Sequence, residues 1–413
     1  MTTTLGIDVG TSGVRAVIIG PGAAQAACSV RLDPARRRDA AAVWAAVTTV
    51  LSGLDLSRVA ALAVDGTSGT ILPIAKDGTP AGPLSLYSDA AADPVCGATM
   101  ACAPESAALG ATSPLARAIA LQRGPNVARI VHEADWIAGQ FSGCFNISDE
   151  NNALKTGYDP IARAWPLWLE SVGMAITKLP QVVAPGTAIG RITASAAKRF
   201  GLPPGAVVAA GTTDGCASFL ATGADQPGDA VTALGSTMTL KLWADRPVSA
   251  PDFGVYSHRI CGRWLVGGAS NTGGAVLARF FAPEQLRALS EHIDPSLRSP
   301  CDFYPLLAPG ERFPINDRTL PPRLTPRPAD DTAFLNGLLE GIARIEALGY
   351  RRLAELGTPP VRRVLTVGGG AANRGWTAIR ARVLGVPVEA ATATEAAQGA
   401  AILARSALPS RLV

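Results

Sequence analysis

The chain has 413 residues, of which 48% are hydrophobic and 17% charged, with a formal net charge of +4. At roughly 100–200 residues per domain it is too long for one ordinary core, and its apolar content excludes a mostly disordered chain. Lys and Arg form no long basic face: the densest run, Arg36-Arg37-Arg38, is followed at once by Asp39, so a nucleic-acid partner has no support.

The cysteines at 28, 96, 102, 144, 216, 261 and 301 are scattered without a C-x-x-C pair. They read as reduced, mostly buried thiols rather than a zinc site. The N-terminus enters a strand without a leader-like segment and no long uncharged apolar run follows, so a cytoplasmic location with no membrane partner is expected.

The first element is "LGIDVGTSGVRAVII" (5–19), a strand, a Gly-rich turn at 10–13 and a returning strand. It places a carboxylate, Asp8, immediately before the turn, and "AVDGTSGTILPI" at 63–74 repeats the pattern with Asp65. Residues 39–54 carry apolar positions at helical spacing and end near Gly53, and an apolar strand follows at 59–64. Helices are predicted around 115–123 and 129–141. Segment 203–224 reads as a strand, a Gly-Thr-Thr-Asp-Gly turn and a helix, and 229–244 as a hairpin turning at Gly235-Ser236-Thr237. The turn-rich "TGADQPGD" between them marks a boundary around 220–229. After a Pro-studded stretch at 297–331, Asp331 is expected to cap a long helix with Phe334, Leu338, Leu339, Ile342 and Ile345 on one side. The last clear unit is a strand, a triple-Gly turn at 368–370 and a helix. Strand, glycine turn and helix in alternation predict an α/β protein.

Gly-Ser-Thr turns after strands offer open N–H groups and hydroxyls to phosphate oxygens, although such turns also close ordinary hairpins. Three of them, at 10–13, 235–237 and 368–370, imply several phosphates or one long nucleotide. Neither a P-loop nor a Rossmann fingerprint is present, so another phosphate-binding fold is required.

At these residues the chain resembles the FGGY family of carbohydrate kinases, of the actin, hexokinase and Hsp70 superfamily. The resemblance rests on "GIDVGTSGVRAVI" (6–18), "VDGTSGT" (64–70), "AGTTDG" (210–215), "LGSTMTLKL" (234–242), "GGASNTGG" (267–274), "PGERFP" (309–314), "VGGGAANRGW" (367–376) and "TEAAQGAA" (394–401). Within the family it looks most like the short kinases of cyanobacteria and plants that phosphorylate D-ribulose. "DGTSGT" stands where xylulokinases show a His-Gly-Gln type motif, and Arg117 takes the place of the family's Lys with no Trp following.

The resemblance implies two ribonuclease-H-like lobes around a central cleft, each with a five-stranded mixed sheet. The N-terminal lobe, 1–222, would bind sugar, a helix at about 395–413 would pack back on it, and 223–394 would bind ATP. Asp8 would sit beside Mg²⁺ and the nucleotide phosphates, where a bare carboxylate would be repelled. The alternative is an Asp8 that accepts bonds from its own turn. Thr11, Ser12 and Gly13 would meet the transferred phosphoryl group and the sugar, and Thr67, Ser68 and Gly69 the sugar, with Asp65 either functional or bonded to its own turn. Asp214 would be the base that takes the acceptor hydroxyl's proton, the plain alternative being a helix cap. Asp89 and Asn152 would contact sugar. Gly235, Ser236 and Thr237 would form a second phosphate loop, Gly369, Gly370 and Asn373 an adenosine turn, and Gly268 and Gly273 a nucleotide border. Trp376 would lie on the adenine, unless it is a core residue at a helix start. The activity implied is phosphorylation of a pentulose, D-ribulose first, then D-xylulose or another polyol. The rivals are a sugar-independent ATPase and an ATP-binding protein of the Hsp70 or actin kind.

Overall fold

The computed structural model describes residues 3–20, 24–91 and 99–409. The chain divides into two compact units, the first comprising 1–221, 258–262 and 395–413 and the second 222–257 and 263–394.

The first unit opens with β1 (Thr3–Val9), β2 (Gly13–Ile19) and β3 (Ala24–Arg31), an antiparallel meander. The helix Ala40–Ser52 follows, capped by Asp39, whose side chain accepts from the N–H of Ala41 at 2.9 Å. Next come β4 (Val59–Gly66), β5 (Ile71–Ile74), β6 (Arg129–His132), β7 (Ile147–Asp149), β8 (Gln181–Val183), β9 (Ala188–Arg191) and β10 (Val207–Thr213). The main sheet has six strands in the order β3-β2-β1-β4-β10-β9, with β1, β4 and β10 mutually parallel. Central strands of such a sheet are covered on both faces, which explains why β1 is apolar nearly throughout, with Leu5, Ile7 and Val9 fully buried.

The helix Ala396–Arg405 belongs to this unit and lies on β1 almost backbone to backbone. A Cβ on Gly6 would stand 1.8 Å from the Ala397 carbonyl oxygen, and one on Gly399 1.8 Å from that of Ala217. Thr4 Oγ1 donates to the carbonyl of Ala401 at 2.7 Å. The Ala- and Gly-rich composition of "EAAQGAAILA" thus follows from the approach distance.

The second sheet is built from β11 (Asp229–Leu234), β12 (Met238–Ala244), β13 (Tyr256–Ile260), β14 (Arg263–Ser270), β15 (Arg363–Val367) and β16 (Val388–Ala390), in the order β13-β14-β12-β11-β15-β16; all but the 258–260 part of its edge strand β13 belongs to the second unit. Its core is closed by the helix Asp331–Glu355, where Phe334, Leu338, Leu339, Ile342 and Ile345 are all buried as their spacing predicts. Inside it, Arg380 Nε and Nη2 donate to the two oxygens of Glu346 at 2.6 Å each, and Glu346 also accepts from Thr232 Oγ1 at 2.5 Å.

Several expectations are corrected. Each main sheet has six strands rather than five, because short edge strands join it. Asp330, not Asp331, caps the long helix: its Oδ2 accepts from the N–H of Ala333 at 2.8 Å, while Asp331 is the first helical residue and accepts from Arg327. The predicted helix at 129–141 is β6 followed by the helix Glu133–Ser142. Among the described cysteines only Cys216 and Cys301 are buried; Cys102 and Cys261 are exposed, and Cys96 lies outside the described residues.

A buried polar group joins β6, β7 and the helices after them. His132 Nδ1 lies 3.1 Å from Asp135 Oδ2, and Asp149 caps the helix Glu150–Leu154 through the N–H groups of Asn151 and Asn152. Burial first, then the charge of Asp135, raises the Asp149 carboxyl to about 7.

Two predictions follow from this packing. Gly6→Ala should lower the thermal stability of the first unit by about 3 kcal/mol, since backbone rather than a movable side chain blocks the new methyl; an unchanged melt would refute the close approach. For Asp149, the folded state holds a proton between the unfolded value near 4 and the folded value of about 7, whereas the unfolded state does not. Its contribution to stability therefore falls as pH rises through that window, by up to ~1.4 kcal/mol per pH unit. Asp149→Asn keeps the cap and has no proton to lose, so denaturation midpoints from pH 4 to 8 should decline less steeply in the variant; parallel curves would contradict the assignment.

Candidate active site

Strand register brings the repeated sequence words together. Parallel pairing of β1 with β4 sets Asp8 opposite Asp65 and Val9 opposite Gly66. Pairing of β4 with β10 sets Asp65 opposite Thr212 and Gly66 opposite Thr213, and Asp214 follows as the first residue of the helix Asp214–Ala221. Three acids therefore stand at the C-terminal ends of three neighbouring parallel strands, where open α/β sheets place their ligands.

Asp8 is 4% exposed and Asp65 fully buried. Burial, then the charge of Asp214, raises the Asp8 carboxyl above its ordinary range, while Arg15 Nη1, donating to Asp8 Oδ2 at 3.3 Å, opposes the rise. Asp65 is raised much further, by burial and then by Asp8 and Asp214. Neither oxygen of Asp65 has a donor to accept from, so burial beside two other acids favours its neutral form. This corrects two alternatives: Asp65 does not bond its own turn, and Asp8 accepts from side chains rather than from the turn's N–H groups. Asp214 is half-buried, with Oδ1 accepting from the N–H of Gly215 at 2.6 Å.

The turn after β1 closes through Gly10 N–H donating to the Gly13 carbonyl at 3.0 Å, leaving Thr11 and Ser12 exposed. Thr11 Oγ1 lies 3.5 Å from Thr67 Oγ1, and Thr67 N–H donates to the carbonyl of Val9 at 3.2 Å, so the two turns sit side by side. Ser68 Oγ is buried without a partner, and Gly69 takes a φ of +88° that favours glycine. Gly13 has a packing role: a Cβ there would meet the Val30 carbonyl oxygen of β3 at 2.5 Å.

Two residues expected to contact sugar are engaged elsewhere. Asp89 accepts both terminal nitrogens of Arg38 at 2.5 and 2.6 Å, and that guanidinium pulls its carboxyl down to about 2. Asn152 is 2% exposed and its Nδ2 donates to Asp149 Oδ2 at 2.6 Å, whereas its neighbour Asn151 donates to Thr212 Oγ1 at 2.9 Å on β10.

In the second unit a cavity of about 770 Å³ is bordered by Gly235, Ser236, Gly369, Gly370 and Asn373, with Leu277, Leu286 and Leu307 on its apolar side. Gly235, Ser236 and Thr237 are exposed at the hairpin tip. The turn at 273–274 lies directly beneath: Gly274 N–H donates to the Gly235 carbonyl at 2.8 Å, and a Cβ on Gly273 would meet the Ser236 carbonyl oxygen at 2.7 Å. Gly369 has open space where a Cβ would project. Asn373 caps the helix Arg374–Leu384 through Oδ1, 2.9 Å from the N–H of Trp376, and its Nδ2 donates to Ser290 Oγ at 2.9 Å.

Trp376 is 2% exposed with Nε1 donating to the carbonyl of Leu339 at 3.0 Å, so its ring belongs to the core and only its edge reaches the cavity. Gly268 does not border the cavity at all, because the buried ring of Phe313 fills the space of its missing side chain at 2.7 Å.

Sequence reading missed Arg15, Arg38 and the cavity's leucines. Arg15 was accessible, since a hairpin closing at 10–13 pairs Asp8 with Arg15; Leu277, Leu286 and Leu307 carry no local signal. It also missed Glu311, buried under β14, which accepts from Ser270 Oγ at 2.6 Å and Asn271 N–H at 2.8 Å.

Among the described residues no three His, Cys, Asp or Glu side chains form a metal cage. A Mg²⁺ ion carried by nucleotide phosphates needs only one or two carboxylates, and Asp8, nearly buried at a strand end, fits that limited role. No helix among them is long and apolar enough to cross a membrane.

Residues 232–408 match the C-terminal domain of the FGGY family of carbohydrate kinases. An autoinducer-2 kinase from Yersinia enterocolitica is 29% identical over 294 residues, which cover 66% of this chain and 55% of that protein. The chain thus spans about half the length of the curated relatives it matches. A xyloylose kinase from Brucella ovis superposes with a TM-score of 0.85 at 25% identity, covering 98% of this chain and 90% of the other. A xylulose kinase from Rhodospirillum rubrum shares the fold with a TM-score of 0.84 at 23% identity, covering 98% and 89%. Residues 232–408 thus match an FGGY carbohydrate-kinase C-terminal domain, and the likeness to the Brucella ovis structure extends over nearly the whole chain.

Proposed function

We propose that the chain transfers the terminal phosphoryl group of ATP to a primary hydroxyl of a pentulose, D-ribulose in the first place, in the cytoplasm. The observation that carries this reading is the register placing Asp8 opposite Asp65, with Asp214 beyond the adjoining strand. Phosphoryl transfer asks a protein to align donor and acceptor, balance phosphate charge and accept a proton. Asp214 has the half-exposed carboxylate for the last task. Asp8, nearly buried at the strand end, would hold the Mg²⁺ that offsets phosphate charge. Asp65, pushed well above the ordinary carboxyl range, limits the negative charge beside Asp8. The hydroxyls of Thr67 and Ser68, the second lacking any partner, suit an acceptor rich in hydroxyl groups. The cavity of the second unit offers a polar glycine border for phosphates and an apolar side for the base.

D-Xylulose is the second reading, favoured by the likeness to the xyloylose kinase structure at 25% identity. Pentulose epimers differ by one hydroxyl, which a site reads through hydrogen bonds, so the choice is settled by turnover. The test is ADP release with Mg·ATP against D-ribulose, D-xylulose, L-ribulose, ribitol, glycerol, autoinducer-2 and no acceptor. A strong response to D-ribulose is expected. A flat, acceptor-independent rate would leave an ATPase and remove the kinase reading.

Two variants separate the roles. Asp214→Ala should lower kcat by ~10²–10⁴-fold with ADP affinity within twofold; normal turnover would remove Asp214 as the base. Gly369→Leu should raise KM for ATP at least tenfold and leave KM for the sugar within twofold, because the new side chain meets no packed neighbour where it leaves the backbone and Gly369 borders the cavity; a parallel rise in both would argue against nucleotide binding there.

A further inference from the structure

Arg117 lies in the helix Pro114–Leu121 and is only 4% exposed, yet among the described residues no carboxylate is in salt-bridge contact with it. A buried guanidinium is costly unless its N–H groups find acceptors. Here Nη1 donates to the Ser85 carbonyl at 2.9 Å and to Ser85 Oγ at 2.8 Å. Nη2 donates to the carbonyl of Gly69 and, at 3.4 Å, to that of Thr112. Burial lowers the group to about 10, with Asp89 opposing.

Two separate segments therefore hang on one side chain. The first is the turn Thr67–Gly69, whose last residue holds a φ of +88° and offers its carbonyl to Arg117. The second is the loop from Ser85 to Asp89. Asp89 fastens that loop from within, accepting from Leu86 N–H at 2.9 Å and lying 3.4 Å from Ser85 Oγ, and Arg38 grips Asp89 from outside. A planar fork can hold acceptors on two segments in fixed directions at once, whereas a lysine ammonium is a point donor.

We propose that Arg117 is a positioning residue for the acceptor: it fixes the Thr67–Gly69 turn against the Ser85–Asp89 loop and so sets the shape that reads the sugar's hydroxyls, without itself touching sugar. This rests on the kinase reading above. The residue acts through backbone carbonyls, so its loss loosens the acceptor side while leaving the nucleotide cavity of the second unit as it is.

The test compares Arg117→Gln, Arg117→Lys and Ser85→Ala with the unaltered chain. Hydrogen–deuterium exchange over 67–74 and 85–91 reads the clamp without substrate, and exchange over 234–240 and 368–376 serves as control. Arg117→Gln should speed exchange at least tenfold in the first pair of stretches and not in the second. It should raise KM for the accepted sugar at least tenfold while KM for ATP stays within twofold. Arg117→Lys should recover part of both effects, and Ser85→Ala, which leaves the guanidinium in place, should show the same pattern at about threefold. Unchanged exchange in Arg117→Gln, or KM for ATP rising in step with that for sugar, overturns the proposal. If Arg117→Gln does not fold, Arg117→Lys and Ser85→Ala decide by the same criteria. If the unaltered chain accepts no sugar, the kinase reading fails on that result, and the exchange pattern alone still decides whether the clamp exists.

Discussion

Two aspartates held opposite each other on adjacent parallel strands cannot both be charged at ordinary cost. Strand register fixes Asp8 against Asp65, and burial removes the water that would screen them. Burial and the neighbouring acids push both carboxyls up, Asp65 much further than Asp8, which faces Arg15. Everything else at these strand ends is arranged around that pair. Asp214 approaches from the next strand and the two threonine-bearing turns close the side. A site of this kind attracts cations.

The register depends in turn on close backbone approach. Gly6 and Gly399 let the helix Ala396–Arg405 settle between β1 and the helix Asp214–Ala221, and Gly211, where a Cβ would stand 1.7 Å from the Val64 carbonyl oxygen, lets β10 draw close to β4. The two units follow a common plan, in which parallel strands at the centre are flanked by antiparallel ones. They differ in what stands at the strand ends. The first unit presents acids; the second presents turns after β11 and β15 that are nearly free of side chains.

How much of this was readable follows from where each signal resides. The hairpins at 5–19 and 229–244 were legible because β-branched residues flank their glycine turns, and the helix after Asp330 because its apolar spacing runs over many turns. β6 was not, since "RIVH" runs straight into a helix and its apolar residues continue the helical spacing. Edge strands such as β3, with alternating exposed and half-buried positions in an Ala-rich stretch, carry too weak a pattern to count toward the sheet. At the site, the acids and glycine turns announced themselves by type, but burial did not. Trp376 looked available for stacking until Leu339 claimed its N–H, and Gly268 looked like a ligand border until Phe313 filled its place. Both facts depend on residues far away in sequence, which no local pattern encodes.

The contrast between the strand ends has a chemical logic. A nucleotide can be held by N–H groups and hydroxyls, which bring no net charge and need no water removed from an ion. Proton acceptance and charge balance cannot be delegated to backbone, because they require a group whose charge changes or persists. Acids are confined to one set of strands, and burial together with their mutual repulsion pushes one of them, Asp65, well above the ordinary carboxyl range. A third ionised carboxylate there would repel the other two at close range. The upward push that burial and the two neighbouring acids exert on Asp65 reduces that penalty and leaves Asp8, held toward Arg15, the better placed of the pair to carry charge.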